Sequence, residues 1–322
     1  MGSGRIARAA RAYFAKDNSV GGVSFLSRDR DTGSCDLLVG ALAGELGERG
    51  LVLALKYRKN LIDISDVDPP FYLRNRDRIE RAGITVIPGC GFSPGLVNCI
   101  LGKEFRGNRF VREVEVKAGS LSPRAAYYPF LWCFEDIVLE HRLASWQITN
   151  GRKKKFPPFG GFQEEKFFGI DAESYYVASG FENVLEAVRP RKFIVRVVRP
   201  RGFREFFRFL ESYGLLSSDS LARTKQMLEA KIHDNITFAE VTIKGRGSTV
   251  RWLLKAAGRA KEPLNSMQKI TASVPAVMGR LLLDGRIRQK GLLFMEELGK
   301  DDGVFDALIT GVRREGIEIS RA

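Results

Sequence analysis

Metal-binding and redox side chains are scarce in this sequence. Its 322 residues include four cysteines and two histidines. Cys35, Cys90, Cys99 and Cys133 form no C-x-x-C pair, so the ligand spacing of a zinc site is missing and no metal is expected. Few cysteines and no secretory signal point to a reducing, cytoplasmic setting. No apolar run approaches the roughly 20 residues of a membrane span, so no membrane partner is expected. Acidic residues are also in short supply: 38 Asp and Glu stand against 52 Lys and Arg, a net charge of +14. That excess favours anionic partners: a phosphorylated cofactor, a polycarboxylate, an anionic membrane face or nucleic acid. The basic residues are spread along the chain and not bunched into the footprint of a nucleic-acid binder, so nucleic acid is not the expected main partner.

What is present reads as a soluble globular chain. Hydrophobic residues make up 44% and charged residues 28%. The length suits two domains of about 100–200 residues. The opening MGSGRIARAA holds Gly2, Gly4 and Ala7 in a G-x-G-x-x-A pattern, the phosphate-binding turn of a dinucleotide fold. From Gly4 onward, Ile6, Ala9, Ala10, Tyr13 and Phe14 fall on one helical face. Ser3, Arg5 and Ile6 complete the turn and the helix start, where backbone N–H groups would meet a phosphate. Such a turn normally follows a buried strand, and here Met1 alone precedes it. The expectation is a reduced sheet whose first strand is missing. An in-frame apolar stretch of about four to six codons upstream would supply it.

Val20–Leu26 is expected as the next strand, ending in Ser27 and Arg28. An NAD site usually carries an acidic residue at that tip for the ribose 2′-OH. A hydroxyl followed by a guanidinium suits a 2′-phosphate better, so the expected cofactor is NADP. NAD stays open through Asp29 or Asp31, with Arg28 then a plain strand-end charge. Leu37–Leu42 reads as a buried parallel strand. Ala41, Ala43 and Gly44 at its end are small enough for a dinucleotide to approach the backbone. ERGLVLALKYRK reads as a helix with Leu51, Leu53, Ala54 and Leu55 inward, and NLIDIS as a strand. YLRNRDRIERAG reads as a helix stopped by Gly83. ITVIPGCGFSPGLVNCILG reads as a strand, a glycine-rich turn and a helix beginning near Pro94. Strand–helix alternation argues an α/β fold with a Rossmann-like parallel sheet, whose ligands bind beyond the carboxyl ends of the strands. The cofactor candidates are therefore Gly2, Ser3, Gly4, Arg5, Ile6, Ser27, Arg28, Ala41, Leu42 and Ala43. The substrate candidates there are Ser65, Gly91, Phe92, Ser93 and Pro94.

DLLVGALAG, KNLIDISDVD and AGITVIPGCGFSPGLVN follow one another in an order that resembles the saccharopine dehydrogenase (saccharopine reductase) family and its lysine-dehydrogenase-like relatives. GCGFSPGLVN, Gly89–Asn98, resembles the family's G-x-D-P-G turn, and YPFLWCFEDIV its aromatic segment opening the second domain. VVRPRGFREFFRFLESYGLL is similar to its R-Y-x-G-F strand and following helix, and ITASVPAVMGRLLLDGRIRQKGLL to its C-terminal helix and turn. The resemblance implies an NAD(P)-dependent oxidoreductase acting on C–N bonds of amino acids or imines. It also implies a Rossmann domain split in sequence and a middle domain for substrate binding and dimerisation, hence a homodimer. The chain departs from the family pattern in three places. The opening strand is missing. Only six residues, Asp29–Ser34, stand where the family usually has a further helix, strand and helix. Ser93 stands where the reductases commonly have an aspartate.

The domains expected are a Rossmann-like unit over 1–102, an α+β unit over 103–265, and C-terminal helices over 266–322 that return to the first. In the middle, NRFVREVEVKAGSLS, SWQITNGRKKKF, RKFIVRVVRPRGF and NITFAEVTIKGRG read as strands, with a turn at Asn150–Gly151 and a solvated run at Lys153–Lys155. Arg199 or Arg201 can hold a substrate carboxylate bidentately, and Arg199 is the candidate. SMQKITASVPAVMGRLLLDG reads as a helix with Ala276, Val277, Leu281 and Leu282 inward. Amine oxidation uses the neutral amine, so a base must take a proton. Asp63, Asp66 and Asp68 follow a strand end, and Asp66 is the candidate partner of the substrate ammonium and the catalytic residue. The alternative is that these are turn or cap aspartates before Pro69 and Pro70. Two rival readings remain: a degenerate relative acting as a dimeric binding protein without turnover, and a nucleic-acid binder marked by steep salt dependence.

Overall fold

A computed structural model of the chain describes residues 2–17, 20–26, 34–42, 44–65, 67–107, 111–124, 127–177, 180–181, 184, 190–229 and 232–322. The chain divides into two units. One comprises Met1–Arg109, Gly180–Val184 and Ile270–Gly316; the other comprises Phe110–Ser179, Leu185–Lys269 and Ile317–Ala322.

The first unit is built on a parallel sheet. Among the described residues its strands are β1 (Leu37–Gly40), β2 (Asn60–Asp63), β3 (Thr85–Ile87) and β12 (Gly291–Leu292), paired in that order. Continuous apolar runs make these strands because both faces are covered. Helix α2 (Arg49–Tyr57) buries Leu51, Leu53 and Ala54 in one cluster with Leu38, Leu61 and Val86. Helices α3 (Pro69–Arg74) and α4 (Arg76–Ala82) add Tyr72 and Ile79 to it. Each fully buried leucine or isoleucine here contributes about 1.5–3 kcal/mol. Helix α1 (Arg5–Ala15) buries Ala7, Ala9, Ala10, Tyr13 and Phe14. Helix α5 (Leu96–Gly107) follows the turn after β3.

Two sequence expectations are corrected in this unit. Val20–Leu26 is not a strand, and none of its residues is buried. Gly21 and Gly22 have open space around them and weaken an extended segment by their conformational freedom. In helix α9 (Ser266–Leu283), Val274, Met278, Leu281 and Leu282 are buried, whereas Ala276 and Val277 are only half-buried. The buried face runs through the i, i+4, i+7 positions 274, 278 and 281. Val277 instead lies against Gly311 of α11 (Asp302–Arg314), between α10 (Met295–Leu298) and the tail.

The second unit is a mixed sheet with helices. Its described strands are β4 (Glu113–Leu121), β5 (Ser145–Thr149), β6 (Arg152–Phe156), β7 (Gln163–Phe167), β8 (Ile170–Tyr176), β9 (Lys192–Pro200), β10 (Asn235–Lys244), β11 (Thr249–Gly258) and β13 (Glu318–Arg321). They run in the order β13-β11-β10-β4-β9-β5-β6, with the β7–β8 hairpin joined to β9. Asn150 (φ 52°) and Gly151 (φ 72°) make the tight turn between β5 and β6, the left-handed conformation that Asn-Gly favours. Helices α6 (Phe134–Glu140), α7 (Phe203–Ser212) and α8 (Leu221–Glu229) accompany the sheet. Phe134, Ile137, Tyr175, Val197, Phe203 and Phe207 form its aromatic-rich core.

Candidate functional site

The carboxyl ends of β1, β2 and β3 are tied together by a chain of named bonds. Ile64 N–H donates to the Gly40 carbonyl (2.9 Å) and Cys90 N–H to the Asp63 carbonyl (2.9 Å), continuing the parallel ladder past the strands. Ser65 Oγ accepts from Leu42 N–H (3.0 Å), which fixes the exit of β1 on that of β2. The opening turn joins the same edge. Gly2 has φ +89°, and a Cβ there would fall 2.9 Å from the Ala41 carbonyl carbon. Only glycine fits that approach. At Gly4 the situation is reversed: a Cβ would meet nothing within 4 Å, and this N-cap gives α1 no side-chain cap. A helix start bordered by open space suits an anionic group.

Asp63 lies at the centre of this edge and is fully buried. Its Oδ1 accepts from Ser65 N–H (2.8 Å) and its Oδ2 from the Tyr72 hydroxyl (2.9 Å). Burial pushes its pKa up, against the lowering effect of those donors. Burial and the neighbouring carboxylate push the Tyr72 hydroxyl up as well. Asp63 is thus a bracing group between β1, β2 and α3, closed off from a ligand. Tyr72 is the partner that sequence reasoning missed. Its signal was a tyrosine at a buried position of the helix opened by Pro69 and Pro70, nine residues from the aspartate it meets.

The turn after β3 is as tightly specified. Gly95 has φ +130°, and a Cβ there would meet the backbone of Gly91 at 2.5 Å. Gly95 N–H donates to Asn98 Oδ1 (3.0 Å) and Leu96 N–H to the Gly91 carbonyl (2.9 Å). The Ser93–Pro94 peptide is cis. Phe92 points into the core, whereas Ser93 and Pro94 are half-buried, and the Thr271 methyl lies at contact distance from where a Gly91 Cβ would be, 3.4 Å. Cys90 is buried, and burial raises its pKa, so it is an inert packing thiol.

The bonded edge therefore gathers Gly2, Ala41, Leu42, Ser65 and, through Cys90, the Gly91–Pro94 turn. Ser3, Gly4, Arg5 and Ile6 follow from Gly2 at the start of α1. Ser27, Arg28, Ala43 and Asp66 lie outside the described residues.

Arg199 belongs to the second unit, on β9. It is buried, its Nη2 donates to Glu140 Oε2 (3.0 Å), and among the described residues its Nε has no hydrogen-bond partner. Its guanidinium carbon lies 5.6 Å from the Phe203 ring centroid. His141 is buried beside it. The His141 Nδ1–H donates to the Ile137 carbonyl (2.7 Å), which leaves Nε2 to accept from the Tyr175 hydroxyl (3.2 Å). Burial, reinforced by Arg199, pushes the His141 pKa down to about 3. A neutral imidazole with both nitrogens engaged orients its neighbours. Glu173 accepts from Gly202 N–H (2.8 Å) and Arg204 N–H (2.5 Å), capping the start of α7.

No family model matches the chain. Its fold matches that of an apo histidine-tagged saccharopine dehydrogenase (L-Glu forming) from Saccharomyces cerevisiae, with a TM-score of 0.79 at 14% identity, over 100% of this chain and 98% of that one. A DAP dehydrogenase from C. glutamicum in complex with DAP is similar over 96% of each chain at 13% identity, with a TM-score of 0.48. A mutant meso-DAPDH with DAP from Clostridium tetani E88 is similar over 95% of this chain and 94% of that one at 14% identity, with a TM-score of 0.49.

Proposed function

We propose that this chain is a nicotinamide-dependent oxidoreductase that moves a hydride at a C–N bond of an amino acid or imine, in the manner of a saccharopine dehydrogenase. The observation that carries the reading is the bonded strand edge: a glycine turn, an uncapped helix start with open space, and two further loops gathered at the carboxyl end of a parallel sheet. The fold shared with a saccharopine dehydrogenase over the whole chain supports it. The amides at the start of α1 and Gly2–Gly4 hold the pyrophosphate. Ala41 and Leu42, kept in place by Ser65, form the floor under the dinucleotide. Gly91–Pro94 borders the substrate. Asp66 holds the amine and accepts its proton, because Asp63 is committed to Ser65 and Tyr72. A bound nicotinamide supplies the hydride acceptor or donor. The Ser27–Arg28 pair favours NADP over NAD. The exposed, paired Phe209 and Tyr213 rings on the second unit are a candidate contact of a homodimer.

The test is titration of the protein into NADPH and NADH while following reduced-nicotinamide fluorescence. Saturable binding, tighter for NADPH, is expected. No binding at about 500 µM cofactor, toward the upper end of the usual range of about 1 µM to 1 mM, overturns the cofactor reading. A degenerate, non-catalytic dimer is the second reading, favoured by the absence of a strand over Val20–Leu26. It predicts cofactor or amino-acid binding with no turnover on any amino-acid or oxo-acid/amine pair.

A further inference from the structure

The fold of the second unit collects cations that are far apart in sequence. Gly151 N–H, at the tip of the β5–β6 hairpin, donates to the Arg191 carbonyl (2.7 Å). Lys192 N–H donates to the Arg112 carbonyl (3.1 Å), and Arg112 N–H to the Lys244 carbonyl (2.8 Å). These bonds place Arg152, Arg191, Lys192, Arg112 and Lys244 along one end of the sheet. The end from β10 to β6 crosses four strand spacings, about 19 Å. Lys244 pairs with Glu113 (3.4 Å). Among the described residues, no carboxylate lies within ion-pair distance of Arg112, Arg152, Arg191 or Lys192.

The hairpin extends this rim. Among the described residues β6 is the last strand of the sheet, and each residue of its run Arg152–Lys155 is exposed. Its cross-strand partners on β5 are Thr149, Ile148, Gln147 and Trp146, none of them acidic. Trp146 is 40% exposed, with Lys153 Nζ 5.3 Å and Lys155 Nζ 5.9 Å from its ring centroid. Cations on an edge strand block pairing with another strand, which accounts for β6 taken alone. It does not account for Arg112, Arg191 and Lys192, which sit at strand starts and protect no edge.

We infer that this rim binds single-stranded nucleic acid, with the cations taking phosphates and Trp146 offering a face for a base. A track of cations beside an aromatic ring is what sequence-tolerant single-strand binding uses, with sites of about 4–16 nucleotides. A second copy of β6 is excluded as the occupant, since like charges would face each other across the edge. A bilayer fits less well. Trp146 is the one large apolar side chain exposed on the Ser145–Phe156 hairpin among the described residues, and a membrane-bound surface needs an apolar face. This inference is independent of the oxidoreductase reading.

The experiment is fluorescence anisotropy of the whole protein with a labelled oligothymidylate of about 20 nucleotides, between about 50 and 200 mM salt. Binding that weakens steeply with salt is expected. The combined Lys153→Ala, Lys154→Ala and Lys155→Ala variant should bind at least tenfold more weakly, with a log–log salt slope shallower by about 2, given roughly 0.7 per phosphate on single strands. Trp146→Ala should weaken binding about tenfold and leave that slope unchanged. Arg286→Ala with Arg288→Ala, exposed cations of the first unit, should change nothing. All four lysine and tryptophan sites are solvent-exposed, and circular dichroism checks that each variant is folded. The inference is overturned by wild-type affinity in the triple-lysine variant. Capture by phosphatidylserine vesicles without oligonucleotide binding also overturns it, as does equal competition by polyglutamate of the same charge.

Discussion

Gly40→Ala is the substitution that best tests how the candidate site is braced. A Cβ at Gly40 would lie 2.6 Å from Cγ and 2.9 Å from Oδ2 of Asp63. That carboxyl is fully buried and held by Ser65 N–H and the Tyr72 hydroxyl. Two relaxations are available. The carboxyl can swing away and lose two charge-assisted bonds worth about 1.5–3 kcal/mol each. Otherwise β1 and β2 can part, an overpacking cost of about 1–3 kcal/mol, and strain the bond from Ile64 N–H to the Gly40 carbonyl. Either route gives a loss of about 3 kcal/mol. In an Asp63→Ala background the obstructing atoms are gone, and alanine should gain about 0.5–1 kcal/mol over glycine in the strand. The coupling in the double-mutant cycle should therefore be about 3.5–4 kcal/mol. The assay is native-state hydrogen exchange of the Leu61–Asp63 amides. All three tryptophans, Trp132, Trp146 and Trp252, lie in the second unit, so their fluorescence unfolding curve is the internal control and should not move. Additivity of the two substitutions within about 0.5 kcal/mol would refute the account of Asp63 as a brace.

Three further outcomes follow from the same geometry. The raised pKa of Asp63 means that the folded state holds its proton longer than the unfolded chain. Stability from this group is complete below the ordinary aspartate value of about 3.9 and declines as pH rises through the raised one, so the stability gap between Asp63→Asn and the native protein should widen in favour of the variant with rising pH, measured by urea unfolding. Glu140→Ala should cost about 3–5 kcal/mol because it strands the buried Arg199 guanidinium; pairing it with Arg199→Met should recover most of that loss in thermal unfolding. His141, with a pKa near 3, should stay neutral by NMR titration down to about pH 4. Its failure to protonate should make the second unit lose stability as pH falls from 6.5 toward 3, at up to about 1.4 kcal/mol per unit.

The parallel sheet of the first unit was legible because its strands are uninterrupted apolar runs separated by helical periodicity. Leu38, Leu61 and Val86 are where such runs put a core. The glycine pattern was legible too, since Gly2 and Gly95 stand at backbone approaches that no side chain tolerates. Asp63 was not legible as a brace. Its position at a strand end reads the same whether the carboxyl faces a ligand or a neighbouring strand, and the distinction depends on Gly40 across the sheet. Val20–Leu26 misled for a related reason. Its apolar residues satisfy the local pattern, but a strand needs a neighbour, and the pattern of one segment does not report whether a neighbour exists.

Cationic residues show the same limit from the other side. Along the chain they look dispersed, at positions 112, 152–155, 191–192 and 244. Sheet order β10-β4-β9-β5-β6 converts these separations into adjacent strand ends. Strand β9 then sorts its own cations by position. Lys192, at its start, joins the exposed rim, whereas Arg196 and Arg199 are buried and paired with Glu115 and Glu140. A +14 chain therefore carries two distinct electrostatic arrangements: cations buried against carboxylates in the core, and exposed cations gathered along one end of a sheet. The first costs desolvation and is held by pairing. The second raises the local potential and attracts anions in proportion to their charge and the dilution of salt. Net charge alone reports neither, because both follow from strand register.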